Sequence, residues 1–282
     1  MEEKKTFNQR LDRYVLTQLP NHSRAFASKL IDLGRVNVND QVQTKAGYRV
    51  RTGDKVVINY NHDQELAIPE IDIPILYEDK DCVVINKPAG LLTHSKGVFN
   101  SEPTVESWLR PRLKDISGER AGIVHRLDRA TSGVMICAKK IKAQQWLQKQ
   151  FANRKVKKDY VAVVAGHMNS PEALIDMPIE RHPRHPQTFR VGANGKLAQT
   201  AFKVLKTNVD RSLIELQPAT GRTHQLRVHL AHLHHPIVGD TLYRGPKARR
   251  LFLHAHKLEI TLASRERKIF TAPVPKEFIL EM

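Results

Sequence analysis

Only two cysteines, Cys82 and Cys137, occur in 282 residues, each inside an apolar, strand-like run (Asp81-Cys82-Val83-Val84-Ile85 and Met135-Ile136-Cys137-Ala138). That is too few for a disulfide framework, and buried free thiols in a reducing compartment are expected. Also missing is any apolar stretch of about 18 residues, which a membrane-spanning helix requires, and any conspicuous basic amphipathic helix that would lie on a bilayer. The start, Met1-Glu2-Glu3-Lys4-Lys5-Thr6, lacks the apolar core of a signal peptide. A cytoplasmic protein with no membrane partner is therefore expected. No phosphate-cradling Gly-x-x-x-x-Gly-Lys loop, no Gly-x-Gly-x-x-Gly turn and no zinc-ligand set is present, so no cofactor and no metal are expected. Repeats of solenoid length and low-complexity tracts are absent as well. Acidic residues are few, 29 Asp and Glu against 46 Lys and Arg, for a formal charge of +17. Such an excess points to a polyanion, because neutralising phosphates releases condensed counterions and drives binding.

What is present is most informative at His125-Arg126-Leu127-Asp128-Arg129-Ala130-Thr131-Ser132-Gly133. One carboxylate stands between two arginines, and nearby positive charge favours its ionised form. A fixed, ionised Asp suits nucleophilic or electrostatic chemistry better than general-acid work. Thr131-Ser132-Gly133 supplies hydroxyl and backbone hydrogen bonds in a tight turn, with Gly133 free to take positive φ. The apolar run Val134 to Ala138 then reads as a strand, which places Asp128 on a loop feeding a sheet. An isolated Arg-Leu-Asp-Arg would read as a surface ion pair of small energetic value. The whole string, ending in Ala138-Lys139, closely resembles the catalytic motif of the RluA-type pseudouridine synthases.

Residues 10 to 58 read as a compact unit. Arg10 to Leu16 starts an amphipathic helix, and Ser23 caps a second that carries Ala27, Leu30, Ile31 and Leu33 to a stop at Gly34. Arg35-Val36-Asn37-Val38-Asn39-Asp40 reads as a short hairpin, and Gly53-Asp54 precedes the strand Lys55 to Asn59. Basic residues Arg24, Lys29, Arg35, Lys45, Arg49 and Arg51 cluster around this scaffold. The pattern resembles the S4 RNA-binding domain, departing from it at Asp40, where a Gly is usual; Asp tolerates such turns. Gln64 to Pro74, with two prolines and local acidity, reads as a linker. Beyond it, strands are expected at 75–78, 82–87, 160–166, 200–205 and 213–216, and helices at 104–109 and 142–151. The expectation is an α+β protein. A small S4-like domain (1–63) and a linker (64–74) precede a catalytic domain (75–282) built on a mixed, mainly antiparallel sheet with flanking helices.

Two further segments match the same family. Lys155-Val156-Lys157-Lys158-Asp159-Tyr160 interleaves basic residues with an aromatic, which suits phosphate contact beside a stacking platform. In Ala219-Thr220-Gly221-Arg222-Thr223-His224-Gln225-Leu226-Arg227, Gly221 turns the chain, Thr223 can cap, and Gln225 to Leu233 reads as a helix. His224, His229, His232, His234 and His235 crowd here. With no cysteine or acidic ligand among them, a helix face contacting RNA and a turn at His235-Pro236 explain them better than a metal.

The resemblance implies an isomerase that turns uridines in RNA into pseudouridine, with a flipped-out base as substrate. It implies Asp128 as the catalytic carboxylate, as nucleophile or as base. It implies Tyr160 as the active-site tyrosine packing on the uracil and able to move the released proton, and Arg222 as the salt-bridge partner of Asp128. Arg126 is the candidate for entering the RNA in place of the extruded base, Lys157 and Lys158 are phosphate contacts, and Arg227 is an RNA contact or a structural pair. Arg24, Lys29 and Arg35 are the expected RNA-binding residues of the S4-like part. The family's S4-bearing members imply large-subunit ribosomal RNA as the partner, with transfer RNA as the alternative and a non-catalytic RNA-binding protein as the rival class. A monomer is expected.

Overall fold

The computed structural model describes residues 8–20, 22–60, 71–94, 102–116 and 120–280. They divide into two compact units, one drawn from Met1–Pro69 and Ser95–Glu102 and the other from Glu70–His94 and Pro103–Met282. The linker expected at 64–74 lies outside the described residues up to residue 70.

The first unit runs β1 (Asn8–Arg10), α1 (Leu11–Gln18), α2 (Arg24–Asp32), β2 (Val36–Val38), β3 (Gln41–Val42), β4 (Arg49–Arg51) and β5 (Val56–Ile58). Its apolar positions recur at helical spacing on α1 and α2 and alternate on β2. They meet in one core that includes Leu11, Val15, Ala27, Leu30, Ile31 and Val36. The Ser23 hydroxyl accepts from the Phe26 amide at 3.3 Å and so caps α2. Asn39 and Asp40 both take positive φ (52° and 62°) between β2 and β3, the twist that a two-residue hairpin requires. Asp40 thus replaces Gly where Asp can adopt the conformation. Asp12 is buried beneath two guanidinium groups, accepting from Arg10 Nη2 at 3.0 Å and Arg24 Nη2 at 2.8 Å. Those hydrogen bonds hold its carboxyl down at about 2. Arg24, expected to face RNA, also holds α1 to α2, and it is exposed, as Lys29 and Arg35 are.

The second unit contains β6 (Ile75–Glu78), β7 (Cys82–Lys87), α3 (Val105–Leu109), β8 (Ser132–Ala138), α4 (Ile141–Ala152), β9 (Lys157–Ala165), β10 (Glu172–Asp176) and β11 (Ile179–Arg181). There follow β12 (Phe189–Val191), β13 (Gln199–Thr207), β14 (Arg211–Pro218), α5 (Gln225–His232), β15 (Leu253–Thr261), β16 (Arg267–Thr271) and α6 (Glu277–Leu280). Nine strands form one sheet in the order β10-β13-β14-β9-β15-β8-β7-β6, with β16 also on β15. Every pairing is antiparallel except β8 with β15. One core lies around β7, β8, α3 and α4, and a second around β9, β14 and α5. Cys82 and Cys137 are free and buried, and burial pushes the Cys137 thiol up to about 12, so neither is a thiolate.

The middle of the sheet positions the site. Gly133 lies opposite Ala255 and Ala255 opposite Tyr160, so the strand after the Asp128 loop, the start of β15 and the head of β9 meet in one row. Gly133 has φ 116°, and a Cβ there would collide with the Ala255 carbonyl. The glycine is required for the close approach of β8 to β15 as much as for its positive φ.

Candidate active site

A cavity of about 480 Å³ opens where these strand ends meet, within the ~300–1,000 Å³ of small-molecule sites. Among the described residues Asp128 is the only carboxylate lining it, alongside Arg126, Lys158, Tyr160, Arg222 and Arg227. The backbone around Asp128 is clamped at three successive carbonyls. Thr93 Oγ1 donates to Leu127 O at 2.8 Å, the Thr131 amide to Asp128 O at 3.1 Å, and the Gly90 amide to Arg129 O at 2.8 Å. Lys87 Nζ joins the last of these at 3.2 Å while also donating to Pro88 O and Leu91 O at 2.8 Å. Lys87 is fully buried, and burial pushes its ammonium down to about 7 against the pull of the Asp128 charge. Ser132, next along, accepts from Arg250 Nη2 and lies 2.8 Å from His254 Nδ1, and His254 Nε2 faces the Ala272 carbonyl at 3.3 Å. This chain places the His254 proton on Nε2, and burial holds the ring down at about 4. A carboxylate held from both flanks in this way presents its oxygens in one orientation, the condition for efficient chemistry.

The cation at Asp128 differs from the expected one. Arg222 lines the cavity, but its Nε donates to the Leu197 carbonyl at 3.0 Å and it makes no pair with Asp128. Arg227 takes that place, with Nη1 3.7 Å from Asp128 Oδ2. Its other edge grips buried Asp240 through two 2.7 Å bonds, Nε to Oδ2 and Nη2 to Oδ1. The Arg227 side chain is only 9% exposed and bonds Asp240, the structural pair of the two roles considered for it. The reason is local: His224 turns into the left-handed region (φ 56°) at the head of α5, leaving Arg222 outside the helix and Arg227 on its inner face. Thr223 is exposed and does not cap. The side chain of Gln225 folds back instead, accepting from the Arg222 amide at 3.0 Å and from Thr220 Oγ1 at 2.7 Å.

Strand alternation sorts the lysines of β9. Lys158 and Tyr160 share the face toward the cavity, and Lys157 points the other way, 3.5 Å from Glu259. Burial pushes the Lys158 ammonium down to about 8, while burial and the Asp128 charge push the Tyr160 hydroxyl well above its ordinary range. Tyr160 therefore keeps its proton near neutral pH and can pack or donate. Exposed Arg126 approaches His94 Nε2 at 3.5 Å, and His125 stacks on Phe151 while its Nε2 accepts from the Ile136 amide at 3.1 Å. His229 is buried between Thr200 Oγ1 and the Met177 carbonyl, at 3.0 Å each, so the histidines do not form one RNA-facing set. Among the described residues no group of His, Cys, Asp or Glu is disposed to hold a metal. Reading the sequence missed Lys87, Thr93, Gln225, His254 and Asp240. Only Lys87 carried a signal, a charge closing an apolar strand before Pro88-Ala89-Gly90.

A mixed sheet that clamps one carboxylate in a basic, nucleotide-sized cavity defines an enzyme acting on a unit of a polyanion. Comparison narrows this. Residues 81–232 match the RNA pseudouridylate synthase family, and residues 9–56 match the S4 domain. An uncharacterized RNA pseudouridine synthase of Aquifex aeolicus is 38% identical over 243 residues, 83% of this chain and 77% of that protein. Ribosomal large subunit pseudouridine synthase D of Escherichia coli is 40% identical over 242 residues, 84% of this chain and 73% of that protein. Among solved structures, human RNA pseudouridylate synthase domain containing 1 superposes with a TM-score of 0.60 at 30% identity, covering 72% of this chain and 83% of that one. The chain belongs to the RNA pseudouridylate synthase family and is a pseudouridine synthase, an isomerase of uridine in RNA.

Proposed function

We propose that this enzyme converts uridines of large-subunit ribosomal RNA to pseudouridine, with Asp128 as the reacting carboxylate. The observation that carries the reading is a single carboxylate in a cavity whose other described lining residues are cationic or neutral. The reaction breaks the N1–C1′ bond, turns the uracil, joins C5 to C1′, releases the C5 proton and places a proton from solvent on N1, so atoms and electrons balance without a donor or an oxidant. Every step that needs an anion at the sugar or base falls to Asp128, oriented by Arg227 and the carbonyl clamps. Tyr160, held protonated, packs against the base, Lys158 takes a phosphate, and exposed Arg126 enters the RNA in place of the extruded base. The ribosomal substrate is supported by the naming of the Escherichia coli relative, by the S4 match and by the charge of +17. We further take residues 1–63 as the RNA-targeting part, 64–74 as linker and 75–282 as the catalytic part, in a cytoplasmic monomer.

The test is pseudouridine mapping in ribosomal RNA from cells with and without the gene, complemented by wild type or Asp128→Asn. The Asn variant keeps size and phosphate contacts, so it should bind RNA within a few-fold of wild type and restore no modification. Modified positions that persist in its presence as with wild type would remove Asp128 from the chemistry.

A further inference from the structure

A second cavity, about 670 Å³, lies between the β11–β12 hairpin and the outer side of α5. Among the described residues its lining contains no carboxylate and carries Arg184, Arg190, Arg244, His182, His185 and His232. Arg190 is paired with Glu180 at 2.8 Å, but Arg184 and Arg244 are exposed and have no carboxylate partner among the described residues. The hairpin loop is tied internally: the amides of Arg184 and His185 both donate to His182 Nδ1 at 3.2 Å, and the His182 amide donates to Thr188 O at 3.0 Å. His182 thereby carries its proton on Nε2, a donor whatever the charge on the ring. The floor is apolar and aromatic, with Val228, Phe189 and Tyr243. A cationic rim over an aromatic floor suits single-stranded nucleotides.

The groove adjoins the catalytic cavity through a thin wall. Tyr243 Oη accepts from the Phe189 amide at 3.0 Å and lies 2.8 Å from His224 Nδ1, and His224 Nε2 lies 3.8 Å from Asp128 Oδ2. We propose that this groove is a subsite for the backbone phosphates of nucleotides flanking the target uridine on the same RNA strand, with Arg184 and Arg244 as the phosphate ligands. The inference rests on the RNA reading above and extends it to a place on the surface.

The test measures binding of single-stranded oligouridylates, one of about 3 nucleotides that fills the catalytic cavity alone and one of about 15 that also reaches the groove. Fluorescence anisotropy at low salt compares wild type with Arg184→Ala/Arg244→Ala and with Lys203→Ala/Lys206→Ala. The last pair removes the same charge from exposed positions on β13. The groove variant should bind the long strand about tenfold more weakly, with a salt slope lower by roughly 1.4 for two lost phosphates, and the short strand as wild type does. Equal losses in both double variants, or an equal loss for both strand lengths, would overturn the subsite while leaving the RNA reading intact. A wild-type protein that binds neither strand would overturn both. Thermal melting of each variant separates binding losses from misfolding.

Discussion

Exchanging Arg227 for Met tests the electrostatic design of the site. Arg227 holds buried Asp240 through two 2.7 Å bonds and stands 3.7 Å from Asp128. Removing one partner of a buried, hydrogen-bonded pair costs about 3–5 kcal/mol, so Arg227→Met should melt well below wild type. The contribution at Asp128 is separate. Unit charges 4 Å apart interact by ~4 kcal/mol at an effective dielectric of about 20. The Asp128 side chain is 22% exposed, and solvent screening brings its share to about 2 kcal/mol. Loss of that share together with the carboxylate's orientation should slow kcat on the order of 100-fold. Folding and rate are separated by Arg227→Met/Asp240→Leu, which replaces both ends of the buried pair by apolar groups. Such exchanges are often neutral or stabilising, so melting should recover while the rate does not. Arg222→Met removes only a bond to the Leu197 carbonyl and should leave kcat within about threefold, the modest cost of one hydrogen bond. The assay is single-turnover modification of a large-subunit ribosomal RNA transcript, followed by complete digestion and separation of the nucleosides. A full rate in the doubly substituted protein, or a collapse confined to Arg222→Met, would refute the assignment.

Other perturbations are equally direct. His254 is held neutral, its ring pushed down to about 4 by burial, so the unfolded chain binds its proton first; stability should fall as pH drops from about 6.5 to 4, by up to ~1.4 kcal/mol per pH unit, in urea titrations. If unfolding free energy stayed flat across that window, the Arg250–Ser132–His254 chain would not be holding the ring in its neutral form. Gly133→Ala drives a Cβ into the Ala255 carbonyl at positive φ and should destabilise by about 2–4 kcal/mol with loss of activity, and a variant that unfolds like wild type would show that β8 and β15 can separate. In the S4 unit, Lys29→Glu/Arg35→Glu should weaken RNA binding and lower its salt slope without changing the melting temperature, whereas Arg24→Glu should lower melting because it sets a second carboxylate against Asp12. Equal melting of all three proteins would show that the Arg24–Asp12 pair contributes nothing to the fold.

Local pattern was enough for much of this protein. Apolar spacing located α2, α4, β7, β8 and β13, because burial on one face imposes the helical or strand period on the sequence itself. The string from His125 to Gly133 pointed to a loop before a buried strand, since carboxylate, turn and strand are contiguous in the chain. Tertiary structure decided what depends on direction. Two arginines five residues apart straddle the head of α5, and only the left-handed turn at His224 determines that Arg227 and not Arg222 meets Asp128. Adjacent lysines on β9 are equivalent in composition, and the pleat sends Lys158 to the cavity and Lys157 to Glu259. Arg24 reads as a surface cation and is one, but only the fold shows that it pairs with buried Asp12 beneath it. Asp240 and His254 lie more than a hundred residues from Asp128, and no local pattern connects them to it. Contacts of that range are made by the sheet, whose strand order brings β8, β9 and β15 side by side and joins residues that the chain holds apart.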